Sequence, residues 1–244
     1  MKIFRVNLFI LLVLGLSSCV GIYLCTEGSG RIAKQTYELP NFKNIISDVS
    51  AKIFIIQDST SKIEIETDDN LLDAIIVDVN NEVLTLTSEK GLCPRKLEIS
   101  LTSPSYNNIE INGSSDVIAQ SPIISDDFSI KIDGSGDVQI DSIKAQIVRI
   151  KVNGSGDIRF GGISNELKAI INGSGDLNAS KLAAKSVEVK INGSGDVYVH
   201  SIEKLYININ GSGNVFYSGN PTFSDISILG SGVAKRINNN NKDK

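Results

Sequence analysis

Four acidic residues recur at one spacing. Asp137, Asp157, Asp176 and Asp196 stand 19 or 20 residues apart, each directly after Gly-Ser-Gly. Stacked at that period, their carboxylates repel unless N–H donors, lysines or cations relieve them. Calcium-binding nonapeptide repeats run Gly-Gly-x-Gly-x-Asp with a period of nine. Here Asp follows the second Gly directly, so turn capping by N–H donors is the first expectation and a cation ladder the alternative. Retaining glycosidases also hold two carboxyls about 5–5.5 Å apart. They need the two acids in unlike environments, whereas four equivalent corners offer no such split and no Trp exists to line a sugar cleft. His200 is the only imidazole. It has no accompanying Ser or Cys motif and reads as a coil-edge residue. One His and three Cys leave no ligand to spare for a four-ligand zinc site. With 24 Lys+Arg against 28 Asp+Glu, net −4, the chain has no basic excess with which to grip nucleic acid. No catalytic residue, cofactor site or metal site is therefore assigned.

The elements that position these acids are legible from a repeat. Seven motif copies occur, from Asn112-Gly113-Ser114-Ser115-Asp116 through Asp133-Gly134-Ser135-Gly136-Asp137 to Leu229-Gly230-Ser231-Gly232-Val233, their first glycines 18 to 21 residues apart. Both flanks alternate with period two, the mark of half-buried strands. Val148, Ile150 and Val152 alternate with Arg149 and Lys151; Val187, Val189 and Ile191 alternate with Glu188 and Lys190. A further apolar residue sits midway at Ile143, Ile163, Leu182 and Ile202. A unit of about 20 residues cannot bury its apolar face alone, but stacked units can. The pattern predicts an all-β parallel β-helix of about seven coils, with the motif as its corner. Stacked Asn172, Asn192 and Asn210 would pass hydrogen bonds between coils. An antiparallel sandwich would place turns every 8–12 residues instead.

Residues 36–102 are β-rich but not repetitive, and read as an N-terminal cap over the open coil end. Lys131, Lys151 and Lys190 share an outward column interrupted by Ile170. It is either a solvated face or a surface for an anionic polymer. Tyr198 and Phe216, with Tyr206 on the adjacent face, could form a small aromatic patch for a partner.

The N-terminus reads as an address. Lys2 and Arg5 precede an apolar run, Leu8 to Leu16, too short to cross a membrane. It ends in Leu16-Ser17-Ser18-Cys19, which resembles the lipobox of bacterial lipoproteins, with Cys19 the lipid-attachment residue that takes acyl chains such as palmitate. The alternative is an uncleaved anchor over Leu8 to Leu24. Cleavage before Cys19 removes two basic residues and leaves 22 against 28 acidic, net −6. Export allows Cys25 and Cys93 to pair, though spacing alone does not show that they meet.

Together these features resemble the head GIN domain family of auto-transporter adhesins over about residues 40–233. The resemblance rests on Phe42 to Gln57, on Glu82-Val83-Leu84-Thr85-Leu86, and above all on the serial Asn-Gly-Ser-Gly-Asp corners with Ile-Asn before them at Ile171-Asn172 and Ile191-Asn192. It implies a β-helical fold and an envelope location; the adhesin label transfers no binding residues. The expected organisation is a signal peptide (1–18), a lipidated N-terminus and linker (19–35), the β-rich part (36–102), the repeat solenoid (103–233) and a polar tail (234–244). The expected function is a non-enzymatic, lipid-anchored envelope module for adhesion or interaction. Its partners would be the membrane, through the anchor, and a surface glycan or envelope protein. A polysaccharide-acting β-helix enzyme is the alternative, favoured by a cleft with unlike acids or a basic-acidic cluster on one outer sheet. A purely structural envelope component is the third.

Overall fold

The computed structural model describes residues 25–238; the expected signal peptide, Cys19 and the last six residues lie outside them. Strand accounts for 67% and helix for 3%. The first half contains β1 (Cys25–Glu27), β2 (Ile32–Glu38), β3 (Asn44–Ser47), β4 (Lys52–Gln57), β5 (Lys62–Asp68), a 3-10 turn (Asp69–Ala74), β6 (Ile75–Asn80), β7 (Val83–Ser88), β8 (Gly91–Cys93) and β9 (Leu97–Ser103). The second contains β10 (Asn108–Ile111), β11 (Asp116–Ala119), β12 (Ile123–Ile132), β13 (Val138–Val152), β14 (Ile158–Ile171), β15 (Leu177–Gly193), β16 (Val197–Gly211), β17 (Val215–Ser218), β18 (Phe223–Gly230) and β19 (Ala234–Arg236).

From β10 onward every strand pairing is parallel, and the seven corners enclose about six turns of solenoid. The long strands bend, so each contributes to more than one face. The stretch before the corner stacks Ile132, Val152, Ile171, Ile191 and Ile209 in one inward column. The stretch after it stacks Val138, Ile158, Leu177, Val197 and Val215 in another. All ten are buried and belong to one continuous apolar core. Alternation decides this: the residues between them point to solvent, so only one register buries the apolar set.

Residues 36–102 close one end, and they also extend the solenoid. β3 pairs in parallel with β10 and with β7, and β4 with β11 and with β9, adding two layers that lack a glycine corner. These layers are stacked out of chain order, with β7 and β9 outside β3 and β4. Antiparallel strands then cover both sheets: β5 on β9, β2 on β5, and β6 on β7. The 3-10 turn carries the fully buried Leu71 at this end. Tyr106 is also fully buried, its hydroxyl donating to the Leu101 carbonyl at 2.9 Å. Burial pushes that phenol well above its usual range.

Three differences from the sequence reading have plain causes. Ile32–Glu38, which begins in the expected linker and runs into the β-rich part, is the edge strand β2; its mostly exposed side chains leave little apolar signal. Ala234–Arg236, within the expected polar tail, is β19 on β17, where Lys235 and Arg236 are exposed in the last layer. The four midway apolar residues also do not act alike. Ile143 and Leu182 point inward, whereas Ile163 and Ile202 are exposed. Gly162 takes the inward place between Ile143 and Leu182, which turns Ile163 outward beside Lys144. Cys25 and Cys93 do meet, in a disulfide with Cα atoms 5.6 Å apart that joins β1 to β8.

Candidate interaction surfaces

The corners form two side-chain ladders along the solenoid. In the first, Asn153 Nδ2 donates to Asp133 Oδ1 at 2.5 Å, Asn172 to Asn153 at 2.8 Å, and Asn192 to Asn172 at 2.7 Å. In the second, each Asp Oδ1 accepts the backbone N–H of its counterpart one layer on. Asp157 N–H donates to Asp137 at 2.8 Å, Asp176 N–H to Asp157 at 3.0 Å, and Asp196 N–H to Asp176 at 2.7 Å. The series starts with Asp137 N–H on Asp116 and runs out through Asn214 on Asp196 and Val233 on Asn214. The structure thus brings the four singled-out acids into one stack. Each spends an oxygen on the neighbouring coil, where capping within its own turn was the expectation. Among the described residues no three His, Cys, Asp or Glu side chains converge as metal ligands would.

Beside the first steps of this stack is a depression of about 210 Å³ lined by Lys52, Asp116, Asp137, Asp157 and Arg159. Basic and acidic groups do meet on this outer sheet. The three carboxylates nevertheless share one setting, each holding the next layer's amide, so nothing distinguishes an acid from a base among them. His200 Nδ1 lies 2.9 Å from Ser218 Oγ. Ser218 is only 1% exposed, which keeps it from any substrate. No carboxylate is hydrogen-bonded to His200 among the described residues. The pair lines a hollow with Asn220, Arg236 and Ile237, and Arg236 donates to the Gly219 carbonyl at 2.8 Å.

The lysine column is not a continuous positive stripe. Lys131 is held by Glu110 at 2.8 Å and Asp133 at 2.5 Å. These hydrogen bonds, Asp133 first, hold its ammonium above its usual range. Ile170 interrupts the column as expected, at 38% exposed. The aromatic residues form two separate pairs. Tyr198 stacks on Phe216 with centroids 4.8 Å apart, while Tyr206 meets Phe223 at 5.3 Å.

The third face carries a feature that sequence reasoning missed. An open groove of about 350 Å³ is lined by the exposed Ile124, Ile163 and Ile202, with Ala145 and Ala183 on its floor and Lys144 and Lys185 beside it. Ser164 lies in it with its hydroxyl buried and unpaired. The signal was available only in part. The midway isoleucines are visible in the sequence, but which of them face outward depends on the local shift of register between Ile140 and Ile143 and between Arg159 and Gly161.

The sequence profile of the family described as "Putative auto-transporter adhesin, head GIN domain" matches residues 41–221. Among solved structures, one from Bacteroides fragilis described as a "putative adhesin" is similar at 27% identity and TM-score 0.81, over 87% of this chain and all of that one. A "putative adhesin" from Parabacteroides merdae shares the fold at 24% identity and TM-score 0.71, over 87% of this chain and 99% of that one. A "putative lipid binding protein" from Parabacteroides distasonis does so at 22% and 0.74, with the same coverage. No curated protein matches.

Proposed function

Because the chain belongs to the head GIN domain family, we propose that it is a non-enzymatic adhesion module of the bacterial cell envelope, anchored by lipid at Cys19. The observation that carries the reading is the groove on the third face. Ile124, Ile163 and Ile202 stay exposed at 63%, 53% and 44% and line it together. Exposed apolar side chains gathered in one rimmed groove mark a contact site. Lys144 and Lys185 outnumber Asp126 along the groove, which favours an anionic glycan or envelope protein as ligand. The equivalent setting of the stacked carboxylates argues against the polysaccharide-cleaving alternative. Anchoring is supported by Leu16-Ser17-Ser18-Cys19 and by the disulfide at Cys25, which ties the chain six residues after Cys19 to the capped end.

The test is a binding screen of envelope glycans and proteins with Ile163→Lys as the matched control. The substitution is on an exposed site, so melting stays unchanged while binding falls at least about tenfold, the worth of about 1.4 kcal/mol. A ligand held equally by both chains would place the site elsewhere. Cys19→Ala separately abolishes membrane partitioning and lipid labelling; a variant that still carries lipid refutes the anchor.

A further inference from the structure

The two ends of the solenoid are finished differently. At the β7/β9 end, antiparallel strands and the 3-10 turn close the core. At the other end, all eight residues of β18 are exposed. Ile226 and Ile228 continue the inward column of Ile207 and Ile209, yet are 39% and 43% exposed. Outward on the same strand, Phe223 and Leu229 are 49% and 73% exposed. Among the described residues, β18 pairs only with β16 and β19 only with β17, so the outer edge of each is open. Residues 239–244, three Asn, two Lys and one Asp, bring no apolar side chain to it. An open edge over an apolar layer is a template for another strand.

We propose that this end docks a second copy of the chain, head to head, with β18 pairing antiparallel to its counterpart about a two-fold axis through Ile226. The axis lies along the inward normal of the strand. It therefore reverses strand direction while keeping inward side chains inward, and the two cores become continuous. The register follows from the side chains. Centred on Ile226, it sets Ile226 opposite Ile226, Ile228 opposite Ser224, Phe223 opposite Leu229, and Asp225 opposite Ser227. Each large exposed apolar residue then gains an apolar or small partner, and no charge faces its like. Centring on Asp225 would oppose two carboxylates; centring on Ser227 would set Leu229 against Asp225. The self-complementary strand fits an isologous contact, which closes at two copies.

The pairing deepens the adhesion reading and rests on it in one respect. β7 and β18 are eight layers apart, roughly 40 Å at about 4.8 Å per layer. A head-to-head pair places its two capped ends, with Cys25 in each, roughly 80 Å apart and facing opposite ways. If Cys19 carries lipid, each pair spans two membranes, and the open end adds to the groove a second adhesive contact, made with the same protein on a neighbouring cell.

The experiment uses the full chain in detergent micelles and on lipid vesicles. In micelles the expected protein mass is that of two chains, halved by Ile228→Lys with melting retained. On mild oxidation Ile226→Cys gives a covalent dimer, because it sits on the axis. Ser227→Cys gives none, because its own copy lies beyond the roughly 7 Å that a disulfide spans. A single-chain mass for the wild-type protein, an open series of larger masses, or no cross-link at position 226 overturns the pairing. Vesicles carrying the wild-type chain cluster, and those carrying Ile228→Lys do not. Dimers in micelles without vesicle clustering leave the pairing standing and refute the anchored, cell-bridging role. Clustering that Ile228→Lys does not reduce overturns the pairing as the adhesive contact.

Discussion

Gly193→Ala and Gly113→Ala make the same change at the same place in the motif and have opposite consequences. A Cβ on Gly193 would lie 2.9 Å from the carbonyl carbon of Gly173 and 3.0 Å from its nitrogen, and closer still to its oxygen. Carbon atoms rest at about 3.5–4.0 Å. The obstacle is backbone, held in place because Ser194 N–H donates to that same Gly173 carbonyl at 2.9 Å. The layers must part and that bond must lengthen. Overpacking costs about 1–3 kcal/mol and a weakened hydrogen bond about 1 kcal/mol. For a domain of this size each kcal/mol shifts Tm by about 2–4 °C, so the expected fall is about 5–15 °C. A Cβ on Gly113 meets nothing within 4 Å, because the layer beneath it has no glycine corner. Its substitution should stay within about 0.5 kcal/mol. Thermal unfolding followed by circular dichroism decides the matter. Equal shifts for the two variants would refute close coil-to-coil approach as the reason for glycine.

The remaining predictions concern the acid stack and the cap. Asp176→Ala leaves the Asp196 N–H without its acceptor and costs about 1 kcal/mol in urea unfolding, whereas Asp176→Asn is near neutral, as Asn214 already fills the equivalent place. Calcium at millimolar concentration leaves Tm unchanged; a rise abolished in Asp176→Asn would make the stack a metal site. Burial pushes the Asp68 carboxyl up, but N–H donors from Arg95 and Gly30 and the Arg95 charge outweigh it and hold the group below the usual carboxylate range. The unfolded chain therefore takes up this proton first on acidification. The contribution is present above about pH 4 and lost as pH falls through the folded value; Asp68→Asn flattens that loss in urea midpoints taken across the acid range. Reduction of Cys25–Cys93 speeds hydrogen exchange in β1 and β8 and leaves the corner ladders protected, since β1 has no other strand partner.

Architecture was legible wherever packing repeats. Alternation about the corners fixed strands, inward columns and parallel coils, because one register alone buries Val148, Ile150 and Val152 together. The reason for glycine was only half legible. A need for left-handed backbone angles was the expectation, and Gly173 has φ of 152°. Gly134 and Gly154 lack such angles yet would meet the carbonyl beneath them just as closely. Common to all three is the layer below, and a layer below is a long-range fact. The same applies where the repeat signal fades. β3 and β4 carry no Gly-Ser-Gly, so they look unlike coils. Their corner is held instead by Ser115, buried where later copies have glycine, which bonds Ser47 Oγ at 3.0 Å and accepts the Ala51 N–H at 3.2 Å.

The open end was hidden for a related reason. Phe223 to Gly230 alternates like every other pre-corner strand, and nothing local distinguishes a strand that has a neighbour above it from one that does not. Sequence does mark the last corner, where Leu229 and Val233 replace Asn and Asp. In a polar ladder the second replacement is a loss: the Asp series ends on the Val233 amide. On an edge they act differently. Leu229 leaves no amide group competing for water beside the free backbone, and it stands opposite Phe223 in the two-fold register. A terminal layer meant to stay in solvent would place charge or Pro at such positions. This one carries a single charge along β18, Asp225, and the register centred on Ile226 leaves it facing Ser227. Ile228→Lys therefore tests more than one contact, since it installs at the end of the core the charge that a solvent-facing edge would carry.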